Sequence, residues 1–437
     1  MRRLFFAASL SLAALGTAVS AQAMTLEEAV ATAIDSNPDV LQQYARYQTA
    51  NSLQSSARGD YYPQVTVSGG YGRERTDYNS GQDFDQIELD RQELGLTVSQ
   101  LLFNGFKTQA DVERLGQEAS SERFALISSA ENTALKVCRI YLNLLKAEET
   151  SNLAKQNVRD HLKAFEDIRE RAEKGLSSKS DLAQVRARLA SSRASLMSAE
   201  NNLFDLRSEF IGEVGTEARD LTDPIGDSRL LPDSLDTALQ QAKDHHPELL
   251  VARADIAAAR QEQRAAKHSY YPRLSVEFAV NDNDNVGGLP GRDEDARLML
   301  RLEYDLFNGG RDKYRAEASG WRYNEAMAIS KRTRRQVDEG TRLAWNAKKF
   351  LAKQISFYQE NVDASTEANA GYIQQFRLGR RTLLDVLDSQ VELFLARRNY
   401  INAKYDHKFA NYRVNNAVGS LLYSLRVDYP TQWQEQD

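Results

Sequence analysis

Residues 270–280, YYPRLSVEFAV, alternate apolar and polar side chains in the manner of a β-strand. Residues 297–309, RLMLRLEYDLFNG, alternate in the same way as far as Tyr304. Successive strand side chains point to opposite faces, so each run has one apolar face. Each run is about ten residues long, the length of a tilted membrane-crossing strand. A soluble hairpin with one wet face gives the same alternation. The export signal at the start of the chain, the Tyr pairs at the strand starts and the acidic loop tips favour a membrane hairpin.

The same plan occurs twice in the chain. Tyr61-Tyr62-Pro63 precedes Tyr270-Tyr271-Pro272 by 209 positions, and Leu102-Phe103-Asn104-Gly105 precedes Leu306-Phe307-Asn308-Gly309 by 204. The same offset of 204 separates Gly175 from Gly379 and Asp181 from Asp385, so the chain contains an internal repeat. The difference of five residues falls within the strand pair, and an exposed loop tolerates such a change in length.

A long helix is predicted after each strand pair. Residues 106–174 and 310–378 contain no proline, are rich in Ala, Glu, Gln, Arg and Leu, and space their apolar positions three or four apart. A continuous helix of this length is about 100 Å long at about 1.5 Å per residue. Such a helix is too long for a compact domain, so we expect coiled-coil packing along neighbouring helices.

The repeat, an export signal and a linker predict how the chain is divided into segments. Arg2 and Arg3, an apolar run over residues 4–19 and Ala21-Gln22-Ala23 predict a cleaved export signal. Glycine and proline residues in the middle of the chain predict a linker. We expect a signal peptide at 1–23, repeat one at 24–211 with a strand pair at about 63–103, a linker at 212–234, repeat two at 235–422 with a strand pair at about 272–307, and a C-terminal tail at 423–437.

Composition limits the function. The formal net charge of −6 gives no reason to expect nucleic acid. The single cysteine, Cys138, excludes an internal disulfide and is interpreted as a small buried apolar residue. After the signal no run of 18 apolar residues occurs, so a membrane form of this protein must use strands. Four strands cannot close a barrel, and an open sheet in lipid leaves backbone groups unpaired, so several chains must contribute.

The duplicated order of short helices, strand pair, L-F-N-G and very long helix resembles the TolC family of outer membrane channel proteins. The most specific motifs are LFNGG at residues 306–310 and FRLGRRTLLDVLD at residues 376–388. The sequence of the second motif is most similar to the type I secretion branch. The resemblance covers essentially the whole mature chain. It implies a mainly α fold with a small membrane β part: a duplicated long-helix coiled-coil barrel forms a periplasmic tunnel, and four strands per chain contribute to a trimeric twelve-stranded outer-membrane β-barrel.

The resemblance also implies partners. They are two further copies in a homotrimer, a periplasmic adaptor (membrane fusion) protein, an inner-membrane ABC transporter or efflux transporter, a secreted polypeptide cargo and the outer membrane lipid. The chain has no G-x-x-x-x-G-K-[ST] phosphate loop, so energy for transport must come from the transporter. We expect no enzymatic activity and no cofactor.

The resemblance places six residues at a gated periplasmic mouth. Asp385 and Asp388 match constricting aspartates, Arg381 matches a gate-linking arginine, and Asp181, with Ser180 beside it, matches the acidic partner on the other repeat. Phe376 departs from the pattern, since the best-known member has a tyrosine there, and a hydroxyl contact is therefore lost.

Simpler interpretations compete with a gate. Thr382 to Asp385 has the form of a helix capping box, and Ser178 to Asp181 repeats it 204 residues earlier. Asp388, whose counterpart is Gln184, either contributes to a ring of carboxylates at the mouth or lies on a solvated helix face. Neither aspartate is interpreted as a catalytic acid or base. Scattered histidines and a poorly matching acidic loop give no metal site.

Three functions remain open on this evidence. The first is the passive exit duct of an ABC transporter-driven type I protein secretion system. The second is the exit duct of a multidrug efflux pump. The third, from another class, is a soluble periplasmic coiled-coil scaffold that never enters the membrane.

Overall fold

The computed structural model describes residues 23–79, 84–225 and 230–433. The predicted signal peptide lies outside these ranges except for Ala23, as do residues 226–229 of the predicted linker and the last four residues of the predicted tail. The helices are α1 (Leu26–Ser36), α2 (Pro38–Arg58), α3 (Lys107–Glu173), α4 (Lys179–Val214), α5 (Leu235–His245), α6 (Pro247–Ala265), α7 (Arg311–Arg377), α8 (Leu383–Ala417) and α9 (Leu421–Ser424).

The two long helices confirm the sequence prediction. Each of α3 and α7 has 67 residues, and each is followed two residues later by a glycine. Gly175 and Gly379 have φ values of 76° and 74°, in the left-handed region that a residue with a Cβ rarely adopts. The repeated glycines therefore end the two helices in the same way.

The strands form one antiparallel sheet in the order β1-β2-β3-β4. They are β1 (Gln64–Asn79), β2 (Phe84–Asn104), β3 (Arg273–Asp284) and β4 (Arg292–Glu303). The second hairpin has 12 residues per strand, near the predicted length, whereas β1 and β2 have 16 and 21. The expectation of about ten residues was therefore wrong for repeat one.

One face of the sheet is apolar and uncovered by the chain. Val67 lies opposite Leu96, and Leu96 lies opposite Val280, so apolar residues of adjacent strands share this face. Val67 is 70% exposed and Leu300 is 65% exposed. A continuous exposed apolar surface of this kind is uncommon on soluble proteins and marks a lipid or protein interface.

Each L-F-N-G motif turns a strand into a long helix. Gly105 and Gly309 have φ values of 67° and 70°, so glycine is suited to both turns. In the first motif the Asn104 side chain accepts a hydrogen bond from the Thr108 backbone amide at 3.3 Å. This side-chain acceptor satisfies one of the amides that have no partner at a helix start.

The chain divides into two compact units. Of the described residues, the first unit comprises 23–33, 137–225 and 358–405, and the second comprises 34–79, 84–136, 230–357 and 406–433. In the first unit the buried hydroxyl of Tyr141 lies 2.8 Å from the carbonyl oxygens of Met24 and Thr222, which holds the start of the described chain in place.

The second unit contains a buried carboxyl group. Glu131 is only 2% exposed and accepts hydrogen bonds from the backbone amides of Leu421 and Leu422 at 3.0 and 3.2 Å. Burial raises the pKa of Glu131 to about 7, although the two amides and Tyr429 oppose the shift. The contact ties the C-terminal helix α9 to α3.

Cys138 lies fully buried in α3, as the sequence predicts. No helix in residues 23–79, 84–225 or 230–433 contains an apolar stretch long enough to cross a membrane.

Candidate functional site

The candidate mouth residues lie around two helical turns in the first unit, one joining α3 to α4 and the other joining α7 to α8. In the first turn the Leu176 amide donates to the Arg171 carbonyl at 2.8 Å, and in the second the Arg380 amide donates to the Gln375 carbonyl at 2.9 Å. With the left-handed glycines these bonds form the same C-terminal motif twice. Leu176 and Leu378 are 76% and 70% exposed, so both turns present apolar side chains to solvent.

The capping boxes predicted from sequence are present in both turns. The Asp181 amide donates to Ser178 Oγ at 3.0 Å, and the Ser178 amide donates to the Asp181 carboxylate at 3.0 Å. Thr382 and Asp385 make the equivalent pair of bonds at 3.3 and 3.1 Å. The capping interpretation of Asp385 is therefore confirmed. A role at the mouth stays a prediction.

Capping lowers the pKa of both aspartates. The Ser178 backbone amide, followed by the hydroxyls of Ser178 and Ser177, lowers the pKa of Asp181. The Thr382 hydroxyl and then its amide lower the pKa of Asp385. The two carboxylates stand in the first turns of α4 and α8, where the helix dipole also favours negative charge.

Asp388 forms an ion pair that the sequence did not indicate. Its Oδ1 lies 2.7 Å from Nη2 of Arg188, which joins α8 to α4 within one chain. The two side chains are 200 positions apart, and the repeat counterpart of Asp388 is Gln184, so neither spacing nor repetition pointed to this pair. The side chains of Arg188 and Asp388 are 36% and 56% exposed. Exposed pairs of this kind contribute about 0.2–1 kcal/mol.

The Arg381 side chain is held by contacts within the α7–α8 hairpin. Its Nε donates to Gln375 Oε1 at 3.0 Å, and its guanidinium lies 4.6 Å from the centre of the Tyr372 ring. One nitrogen also approaches the Asp385 carboxylate at 4.0 Å. Each of these contacts lies on the α7–α8 hairpin, so within one chain they do not join Arg381 to Asp181 or to the neighbouring Ser180.

The Phe376 side chain makes an apolar contact between the helical hairpin α3–α4 and the helical hairpin α7–α8. It packs against a buried cluster formed by Ile168, Val185, Leu383 and Leu387. The Arg171 guanidinium lies 5.4 Å from its ring centre, a distance at which a cation is attracted to the ring face. Burial against this cluster and the cation–π contact therefore hold the Phe376 ring in place.

A buried histidine accompanies the Arg188–Asp388 pair. His161 of α3 is 2% exposed, and its Nδ1 has no hydrogen-bond partner in the part of the chain that the structure describes. Burial, and secondarily the charge of Arg188, lower the pKa of His161. In the sequence His161 is one of five scattered histidines, and nothing there indicates that it is buried.

Comparison with known proteins decides the family. The model of the family described as "Outer membrane efflux protein" matches residues 29–206 and 238–420. The chain belongs to the outer membrane efflux protein family. It is 23% identical over 410 residues to the outer membrane efflux protein BepC of Brucella suis, covering 93% of this chain and 88% of BepC. It is 24% identical over 420 residues to the outer membrane protein TolC of Vibrio cholerae, covering 94% of each chain.

A solved structure confirms the fold. The CmeC outer membrane channel of Campylobacter jejuni superposes with a TM-score of 0.80 at 16% identity, covering 91% of this chain and 86% of CmeC. The TolC-family resemblance and the predicted fold class are therefore confirmed. The protein is an outer membrane channel with a large periplasmic helical part, and it is a conduit without enzymatic activity. Channels of this family form trimers and act with adaptor proteins and inner-membrane transporters. The soluble-scaffold hypothesis was wrong.

Proposed function

We propose that this channel is the passive exit duct of a type I secretion system, in which an inner-membrane ABC transporter drives a polypeptide through the tunnel. The observation that carries the proposal is the turn sequence FRLGRRTLLDVLD at 376–388, which resembles the type I secretion branch and folds as a tightly bonded turn. The alkaline protease secretion protein AprF of Pseudomonas aeruginosa is 22% identical over 408 residues, which supports the same proposal.

The periplasmic mouth of this duct is gated. In the closed state the α7–α8 hairpin is fastened to the α3–α4 side by the Arg188–Asp388 ion pair and by burial of Phe376. Opening moves the hairpins apart and breaks these contacts. Because the ion pair is exposed and weak, a docked transporter complex can supply the free energy to break it.

Asp385 and Asp388 give the mouth an acidic lining. In a trimer they place up to six carboxylates around the opening, and rings of carboxylates select cations in other channels. Arg188 neutralises part of this charge in the closed state, so we expect cation preference to be strongest when the pair is broken.

The second candidate is the exit duct of a drug efflux pump. The name of BepC, an outer membrane efflux protein, favours it. The two candidates share the channel and its gate and differ only in cargo and transporter. Gate measurements therefore cannot distinguish them, whereas the phenotype of a deletion strain can.

The test is a clean deletion of the gene, complemented from a plasmid. We expect loss of at least one polypeptide from the culture supernatant, with susceptibility to dyes, detergents and antibiotics unchanged. Complementation with the wild-type gene should restore the missing polypeptide. An unchanged supernatant together with increased drug susceptibility would refute secretion and favour efflux.

A further inference from the structure

The polar face of the four-stranded sheet lies opposite its exposed apolar face. Val67 and Leu298 belong to the apolar face and are 70% and 71% exposed. Successive strand side chains point to opposite faces, so Thr66 and Arg297, one position earlier in each strand, belong to the polar face. In a trimeric membrane barrel the apolar face contacts lipid, and the polar face therefore lines the channel.

Arg297 of β4 lies in a layer of small side chains on this polar face. The register places Arg297 opposite Ala279, Ala279 opposite Thr97, and Thr97 opposite Thr66. These four residues cross all four strands, and the alanine and threonine side chains are much shorter than that of arginine. The Arg297 guanidinium is therefore the group of this layer that can extend farthest from the wall toward the channel axis.

The charge of Arg297 is not neutralised by its own chain. Within the part of the chain that the structure describes, its side chain forms no ion pair and no hydrogen bond, and it is exposed. Two other arginines of the polar face are paired. Arg301 of β4 donates to Glu277 at 3.1 Å, and Arg91 of β2 donates to Glu74 at 2.8 Å. Arg297 therefore keeps its donors available for a group that enters the lumen.

The carboxylate two residues away on the same strand is held at the wall. Asp295 lies opposite Asn281 and accepts a hydrogen bond from its Nδ2 at 3.0 Å. The next position of this layer is Gly95, where a Cβ would lie 2.7 Å from Ser68 Oγ and 3.0 Å from Asn281 Oδ1. Short polar side chains therefore fill the layer close to the backbone. Arg297, with its longer side chain, can extend past Asp295 toward the axis.

Strand β1 of a neighbouring protomer brings no free carboxylate to Arg297. Strands β1 and β4 are the two outer strands of the sheet, so β4 of one protomer adjoins β1 of the next in a closed barrel. From Gln64 to Gly72 the polar-face residues of β1 are glutamine, threonine, serine and glycine. The first acidic residue on that face, Glu74, is already paired with Arg91.

We propose that the three Arg297 side chains of a trimer form an anion-binding ring inside the exit barrel, which takes carboxylate or phosphate groups of molecules that pass through it. The guanidinium group donates paired hydrogen bonds to either group. Twelve strands about 4.8 Å apart and tilted by about 40° enclose a barrel with a backbone radius of about 12 Å. The Debye length at physiological salt is about 8 Å, so the field of the ring extends across the lumen. The ring requires the trimeric barrel but no particular cargo or transporter.

The ring is opposite in sign to the candidate mouth. Asp385 and Asp388 favour cations, whereas Arg297 favours anions. Removing the Arg297 charge should therefore increase the cation preference of the channel, while Asp388→Asn is expected to decrease it. The two effects can be distinguished by direction in one kind of recording.

Reversal potentials of full-length trimers in planar bilayers under a KCl gradient test the ring. Salt on the dilute side is about 0.1 M, where the Debye length is about 10 Å. Arg297→Gln should raise the ratio of potassium to chloride permeability by about 1.5- to 3-fold. Arg73→Gln is the matched control, because it removes the same charge from the same sheet at a 73% exposed side chain on the opposite face. It should resemble wild type, as should Arg297→Lys, which keeps the charge.

Three results would overturn the proposal. The first is a wild-type permeability ratio in Arg297→Gln. The second is a shift of equal size in Arg297→Gln and Arg73→Gln, which would show that the face on which the charge lies does not matter. The third is a shift in Arg297→Lys as large as that in Arg297→Gln, because the ring acts through its charge.

Block by multivalent anions provides a second readout, which begins with the wild-type channel. A hexaglutamate peptide and inorganic tripolyphosphate are added separately on the side of the bilayer that faces the barrel opening. We expect at least one of them to block the wild-type current. Its half-blocking concentration should rise about tenfold in Arg297→Gln and stay unchanged in Arg73→Gln.

The two probes distinguish the groups that the ring takes. Block by hexaglutamate would assign carboxylates to the ring, and block by tripolyphosphate would assign phosphates. A wild-type channel that neither probe blocks, or Arg297→Gln channels blocked as strongly as wild type, would overturn the proposal. These recordings involve no cargo, so they can fail or succeed separately from the deletion test of secretion.

Discussion

Arg188→Ala is the most informative single change at the candidate gate. It removes the positive partner of Asp388 but leaves the capping boxes, the turn glycines and the Phe376 cluster in place. If the Arg188–Asp388 pair fastens the hairpins, its loss should shift the channel toward the open state.

The magnitude follows from the geometry. Three such pairs act together in a trimer, so at about 0.2–1 kcal/mol each they contribute about 0.6–3 kcal/mol to closure. Both side chains are more than a third exposed, and water screens such pairs, so the lower half of that range applies. We expect the ratio of open to closed channels to rise by about 3- to 20-fold.

The assay is single-channel recording of purified trimers in planar bilayers. Arg186→Ala is the matched control, since it removes the same charge from the same helix at an exposed position two residues away. Arg188→Ala should raise open probability and cation preference, while Arg186→Ala should resemble wild type. Salt at 1 M should bring wild type closer to Arg188→Ala, because the Debye length falls to about 3 Å.

Two outcomes would refute the reasoning. Equal effects of Arg188→Ala and Arg186→Ala would show that loss of charge alone matters, not the link. A double variant with Asp388→Ala that opens much more than either single variant would show that the two residues act independently.

The remaining predictions concern Arg381, Asp388 and Glu131. Arg381→Ser should raise single-channel conductance by freeing Gln375 and Tyr372; conductance equal to wild type counts against a gate role. Asp388→Asn should lower cation preference or divalent block, because Arg188 stays charged; unchanged selectivity would remove Asp388 from the mouth. The folded-state pKa of Glu131, about 7, lies above the unfolded value of 4.5. Its contribution to stability is therefore full below pH 4.5 and declines by about 3 kcal/mol as pH rises through 7. The difference in thermal midpoint between wild type and Glu131→Gln should follow this curve, and a pH-independent difference would contradict it.

The sequence predicted what depends on local spacing and repetition. The capping boxes at Asp181 and Asp385 need only residues three apart, so they could be recognised directly. The two long helices followed from composition and the absence of proline, and their ends followed from the repeated glycines. The membrane hairpin followed from alternation of apolar and polar residues.

The long first hairpin could not be predicted in the same way. Beyond Tyr71 the strand β1 carries charged residues on both faces, so the alternation that marks a strand ends. The backbone pairing continues nevertheless, and the Arg73 guanidinium lies 3.1 Å from Glu88 of β2. Hydrogen bonds and ion pairs replace apolar burial there, and neither leaves a period in the sequence.

The Arg188–Asp388 pair lay beyond sequence reasoning for another reason. A contact between residues 200 positions apart depends on how α4 and α8 pack, and the repeat gave no help because its two halves differ at this point. The departure from symmetry at Gln184 did single out Asp388 as unusual. Its partner Arg188, however, follows only from the packing of α4 against α8.

We propose that the channel serves an ABC transporter that exports a polypeptide. The most direct measurement is affinity isolation of the tagged channel from cells after reversible cross-linking, followed by mass spectrometry of the co-purified proteins. We predict an ABC transporter, a periplasmic adaptor and a polypeptide cargo in the purified complex. Recovery of a drug efflux transporter in place of the ABC transporter would contradict the claim.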